Sequence, residues 1–246
     1  MSHPTSDANG GRMTIGEFLD QTAQRDRGQG YFELESPHLL EVNLDGNQYP
    51  FVWTKMGSMI AYRGNIKFTR QGMMEEGIGK FLKRQFTGEG AKLTKAEGAG
   101  KVYLADDGKK LTVLELQNES IVVNGEDLIA FSPSLQYDIT MMKSLSAVVS
   151  GGLFNVRVQG AGLVAIGTHH EPLTLRVRPG EPVFTDPNAT VAWSGNLNPG
   201  FKTDMSFKTL LGRGSGESFQ MQFDATQGDG WVVMQPYEET PMQVSS

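Results

Sequence analysis

Apolar and polar residues alternate along Leu111-Thr112-Val113-Leu114-Glu115-Leu116 and along Leu173-Thr174-Leu175-Arg176-Val177, the period of a strand with one buried face. Leu39-Leu40-Glu41-Val42-Asn43-Leu44 reads as a third strand of this kind. Asp45-Gly46-Asn47 and Asp106-Asp107-Gly108 supply turns that need positive φ. An apolar–alanine–aromatic strand follows each time: Met59-Ile60-Ala61-Tyr62, Leu128-Ile129-Ala130-Phe131 and Thr190-Val191-Ala192-Trp193. These strands end at Gly64-Asn65, Pro133-Ser134 and Gly195-Asn196. The spacing then turns helical at Met74, Ile78, Phe81 and Leu82, again at Asp138, Met141, Met142, Leu145, Val148 and Val149, and briefly at Phe207, Leu210 and Leu211. Each of these helices is predicted to stop at glycine: Gly88, Gly151, and Gly212 or Gly214.

A last strand in each unit carries a glycine pair: Gly98-Ala99-Gly100-Lys101-Val102, Gly160-Ala161-Gly162-Leu163-Val164 and Gly228-Asp229-Gly230-Trp231-Val232. The glycine pair and the alanine-containing cluster both step by 62 residues (160 − 98 and 192 − 130). Two unrelated motifs keeping one spacing predict an internally triplicated chain. The period, about 62 to 70 residues, exceeds that of common solenoids and predicts compact pseudo-threefold packing. The expected fold is mainly β, three pseudo-symmetric repeats packed as a sandwich or prism, each with a short helix.

Residues 1–28 read as a disordered leader containing one short helix, with Thr14 and Glu17 at capping-box spacing. Residues 29–236 form one domain, with repeats at about 31–97, 98–159 and 160–227 and a closing strand at 228–236. That closing strand is expected to pair beside Tyr31–Leu34 and protect both edges, or to be a truncated fourth copy. Residues 237–246 form a tail.

Composition narrows the function. The hydrophobic share is 38% and 30 of 246 residues are glycine, as many short strands and tight turns require. A net charge of −6 repels phosphate backbones and disfavours nucleic acid as a partner. With no cysteine, disulfides, zinc-thiolate sites and thiol nucleophiles are excluded, which fits a reducing cytoplasm. No run reaches the roughly 18 apolar residues of a membrane span. The N-terminus lacks the charged-then-apolar order of a signal peptide, so a cytoplasmic location is expected.

Several stretches together resemble the altered-inheritance-of-mitochondria family, whose bacterial members fall in a TRAP-like group. They are Met56-Gly57-Ser58-Met59-Ile60-Ala61-Tyr62-Arg63-Gly64-Asn65-Ile66, Gly79, Lys83-Arg84-Gln85-Phe86-Thr87-Gly88-Glu89-Gly90, and the Gly-x-Gly-x-Val strands. Gly214-Ser215-Gly216-Glu217-Ser218 resembles a second copy of the Gly-Glu turn, and the likeness spans roughly residues 31 to 236. The resemblance implies a β-sandwich prism of three TRAP-like repeats. It also implies a family associated with mitochondrial inner-membrane organisation, whose bacterial members have no established reaction. The chain shows no mitochondrial targeting segment and no repeated basic row, so neither the organelle role nor RNA binding is carried over.

The ionisable residues offer little recurring chemistry. Ser58 sits in Gly-Ser-Met rather than a nucleophile elbow and reads as a small packing residue in a bent strand. His169-His170-Glu171 is read as decorating a hairpin tip, Asp106-Asp107 as a solvated turn, and His38 has no evident partner. Glu89 and Glu217 are read as accepting backbone N–H bonds in equivalent turns. Gly57, Gly88, Gly98, Gly100, Gly160, Gly162, Gly228 and Gly230 are read as structural turn positions. The candidate partner surface is Met73, Met74, Ile78, Lys80, Phe81, Lys83 and Arg84, apolar residues with lysine and arginine alongside. No catalytic residue, metal or cofactor is predicted. The leading reading is a non-enzymatic scaffold that meets a protein partner, a second copy of itself or a membrane surface. The alternative is a small-molecule binding module lined by Trp53, Tyr62, Phe131 or Trp193.

Overall fold

The computed structural model describes residues 12–25, 30–71, 93–141, 154–203 and 219–239. The leader helix α1 (Ile15–Thr22) forms where local chemistry places it. The Thr14 hydroxyl accepts the Glu17 N–H at 3.2 Å and the Glu17 carboxylate accepts the Thr14 N–H at 2.7 Å, so two orphan donors are satisfied. None of its residues is buried.

The rest is β structure. The first group comprises β1 (Phe32–Ser36), β2 (Leu39–Asp45), β3 (Phe51–Lys55), β4 (Met59–Arg70) and β5 (Leu93–Leu104). The second comprises β6 (Lys110–Asn124), β7 (Leu128–Phe131), β8 (Gln136–Met141) and β9 (Phe154–Thr168). The third comprises β10 (Leu173–Val177), β11 (Val183–Thr185), β12 (Thr190–Ser194), β13 (Gly200–Thr203), β14 (Phe219–Phe223) and β15 (Gly230–Met234). One large antiparallel sheet runs β1-β2-β5-β3-β7-β9-β6-β12-β15-β10, with β4 added to β5 and β8 to β9; β11, β14 and β13 form a smaller sheet. The core divides into three clusters, around Val42 and Val102, around Phe131 and Val156, and around Trp193 and Phe223.

Long strands survive in this arrangement by bending at the glycine pairs. Gly64, Gly98 and Gly100 all have positive φ, and a Cβ on Gly98 or Gly100 would collide with the carbonyl oxygen of Asn65 or Arg63 on β4. The two backbones therefore approach where no side chain fits. The bend is sharp enough that Tyr62 and Phe68, six residues apart, place their rings 5.1 Å apart; along a straight strand six residues would span about 20 Å. In the second and third groups a serine follows the aromatic strand and reaches the glycine-pair strand. The Ser132 hydroxyl accepts the Leu163 N–H at 2.9 Å, and the Ser194 hydroxyl accepts the Trp231 N–H at 3.1 Å.

Two sequence expectations are corrected. Strand β15 does not reach the N-terminus: it pairs with β10 and β12, while β1 pairs with β2. Both of its partners belong to the third group, Val177 standing opposite Gly230 and Trp193 opposite Val232. Asp138 and Met141 lie in strand β8 rather than a helix, because Tyr137 and Ile139 alternate inward opposite Val158 and Val156. The helical segments expected at 74–82 and 207–211, and the remainder of the second, lie outside the described residues. Met59–Tyr62 is exposed where Leu128–Phe131 is buried: Met59 is 39%, Ile60 59% and Tyr62 50% exposed. Trp53 of β3 pairs with Phe131.

Candidate functional site

The main ionisable cluster is assembled from five separated segments. Lys55 ends β3; Asp106 and Lys109 flank the turn into β6; Glu126 and Asp127 sit between β6 and β7; His169 follows β9; Gln235 and Glu239 follow β15. The Lys109 ammonium, 2% exposed, reaches Asp127 at 3.0 Å, Glu239 at 2.7 Å and the Glu126 carbonyl at 2.8 Å. Lys55, also buried, pairs with Asp106 at 2.7 Å and donates to the Glu126 carbonyl at 2.9 Å. The Gln235 amide donates to Asp127 and Glu239 and its oxygen accepts the His169 N–H. The His169 ring lies 4.0 Å from that of Tyr237, and the Glu239 N–H donates to the Asn188 carbonyl. The segment after β15 is thus strapped over a buried lysine.

Asp106, Glu126, Asp127 and Glu239 outnumber Lys55 and Lys109, so the cluster favours an added proton. Burial pushes Asp127 up to about 7; the pull of Lys109 is opposed by the neighbouring charge of Glu239. One Asp127 oxygen is buried with no hydrogen-bond partner among the described residues. For Lys109 burial acts downward, but Asp127 and Glu239 outweigh it and hold the ammonium above its ordinary value.

The sign of the pH dependence follows. Asp127 binds its proton more tightly folded than unfolded, where its value is near 3.8. Its contribution to stability is complete below pH ~4 and is lost as pH rises through about 7. Relative to Asp127→Asn, the native protein is expected to lose on the order of 2 kcal/mol between pH 5 and pH 8. Denaturant melts at the two values check this; parallel profiles for the two proteins would refute it.

The residues singled out from sequence fall in different places. His169, Asp106 and His38 are corrected. His169 is mostly buried against Tyr237 rather than at a solvated tip, while His170 turns outward and Glu171 pairs with Lys110 at 2.5 Å. Asp106 is an ion-pair partner rather than a solvated turn residue. His38 Nδ1 sits 3.0 Å from the Lys109 carbonyl. Ser58 is buried and donates to the Lys55 carbonyl at 2.9 Å, a packing role. Gly57, Gly160 and Gly228 have positive φ, whereas Gly162 and Gly230 are hemmed in by Ser132, Ser134, Leu197 and Ser194. Met73, Met74, Ile78, Lys80, Phe81, Lys83, Arg84, Gly88, Glu89 and Glu217 lie outside the described residues.

The aromatic residues offered as alternative pocket linings lie in different surroundings. Trp53 stacks near Phe131, Trp193 packs on Phe223 in the third cluster, and Tyr62 is half exposed near Phe68. The cluster around Lys109 and Asp127 escaped sequence reading. A faint signal existed: Lys109 shares the parity of the buried Leu111, which points its side chain inward.

A second feature is the outer edge of the β4–β5 hairpin. Among the described residues β4 is hydrogen-bonded on one side only, to β5. Met59 through Asn65 are all exposed, and the chain continues from Arg70 into the segment that carries the predicted partner surface.

Comparison with known proteins places this architecture. The family model described as Mitochondrial biogenesis AIM24 matches residues 32–237. A crystal structure of a Streptococcus pyogenes protein is similar over 84% of this chain and 92% of its own, with a TM-score of 0.63 and 23% identity, a likeness of fold. No curated protein matches the chain. Among the described residues no helix is long and apolar enough to cross a membrane.

Proposed function

The chain belongs to the Mitochondrial biogenesis AIM24 family, and on that footing we propose that it is a non-enzymatic β-rich scaffold built from three pseudo-equivalent groups of strands, a cytoplasmic protein that acts by binding a protein partner or a second copy of itself. The observation that carries this reading is the β4 edge, which among the described residues offers unpaired backbone and exposed Met59, Ile60 and Tyr62 directly before the Met73–Arg84 segment. Exposed apolar residues beside an unpaired strand edge are how sheets recruit another chain. The ionisable residues support it from the other side. Lys109 and Asp127 are 2% and 0% exposed and are committed to holding strand ends and the Gln235–Glu239 strap together. The serine–amide bonds at Leu163 and Trp231 support the equivalence of the second and third groups.

A photo-activatable phenylalanine analogue in place of Tyr62 tests the reading in the host cell. Covalent adducts of protein mass are expected, together with no rise in melting temperature across a panel of metabolite classes. A metabolite that raises the melting temperature by several degrees, with Tyr62 untouched by any protein, would favour the small-molecule module instead. Sedimentation with anionic vesicles addresses the membrane variant, in which Lys80, Lys83 and Arg84 meet lipid headgroups.

A further inference from the structure

We propose that two copies of the chain join through β4, strand against antiparallel strand about a two-fold axis at Gly64, so that the large sheet continues from one copy into the other. This rests on the interaction reading above and names its partner and register.

The pairing within the protein fixes which way each β4 side chain faces. Tyr62 stands opposite Val102, which stands opposite the buried Val42, so Tyr62 and Ile66 share the core side of the sheet. Arg63 stands opposite Lys101 and Lys67 opposite Glu97, on the other side. A two-fold axis perpendicular to the sheet preserves these faces, so only residues of the same face can meet across the junction.

With Gly64 opposite Gly64 of the second copy, Tyr62 meets Ile66, Arg63 meets Asn65 and Ala61 meets Lys67. Apolar residues then cover apolar residues on the core side, and no like charges stand opposite each other. Moving the axis by one residue opposes Arg63 either to its own copy or to Lys67, pairs that repel. The irregularity between Met59 and Ala61 marks one end of the junction.

The absence of cysteine from the chain makes the register directly testable. In an Ala61→Cys/Lys67→Cys double variant, the two new thiols of one copy face those of the other. Mild oxidation is expected to give a covalent dimer as the main species, and either single substitution at least tenfold less of it. Tyr62→Glu, at a half-exposed position, is expected to raise the dimer dissociation constant at least tenfold with an unchanged circular dichroism spectrum. A double variant that keeps its dimeric mass yet fails to cross-link overturns the β4 register while leaving the interaction reading intact. A single-chain mass for the unmodified protein at all concentrations, with no protein adduct at Tyr62, overturns both.

Discussion

Lys109→Met is expected to destabilise the protein by ~3–5 kcal/mol at pH 8, the cost of leaving a buried carboxylate without its cation. Methionine preserves most of the stem that packs against Gly167, so the loss isolates the ammonium rather than creating a large cavity. Three acceptors each lose one of their donors together: Asp127, Glu239 and the Glu126 carbonyl. The effect is expected to shrink at pH 5, because Asp127 takes up a proton and no longer needs the cation. Adding Asp127→Leu to Lys109→Met is expected to recover much of the loss, since an apolar pair of similar volume carries no buried charge. Chemical denaturation of the three proteins at both pH values checks this. A loss below ~1 kcal/mol at pH 8 would show that the strap does not depend on Lys109.

Gly100→Val is expected to cost ~3 kcal/mol or more, combining backbone strain with a collision. The φ of Gly100 is +148°, and the atom in the way is the Arg63 carbonyl oxygen, which belongs to the paired strand. That oxygen cannot step aside without breaking the β4–β5 crossing. Gly162→Val should cost less. Its φ is not positive, and the obstructing atoms belong to the Ser132, Ser134 and Leu135 side chains, which can turn away at the expense of the Ser132–Leu163 hydrogen bond. Thermal melts of the two variants rank them, and equal melting temperatures would contradict the distinction.

What was legible in the sequence was local. The α1 cap needs Thr14 and Glu17, three residues apart, and strand alternation exposes β6 and β10 without any partner. The glycine pairs announced themselves by repetition, and at Gly98 and Gly100 the crossing of two backbones explains why. Misreadings arose where two periods compete. Asp138 and Met141 sit three apart, as in a helix, yet Tyr137 and Ile139 alternate and their burial against β9 decides the outcome. Met59–Tyr62 matched the apolar–alanine–aromatic pattern in composition, but it is exposed where Leu128–Phe131 is buried. The Lys109 cluster was beyond reach for a different reason. Its members come from positions 55, 106 to 109, 126 to 127, 169 and 235 to 239, and only the folded sheet brings them together.

The central claim is that the protein works by joining other protein, and native mass spectrometry of the chain purified gently from its own host tests it most directly. The account predicts species at whole multiples of the 26.9 kDa chain mass, or a chain with the added mass of a second protein. A single chain, bare or carrying a small molecule that is lost on denaturation, would contradict it.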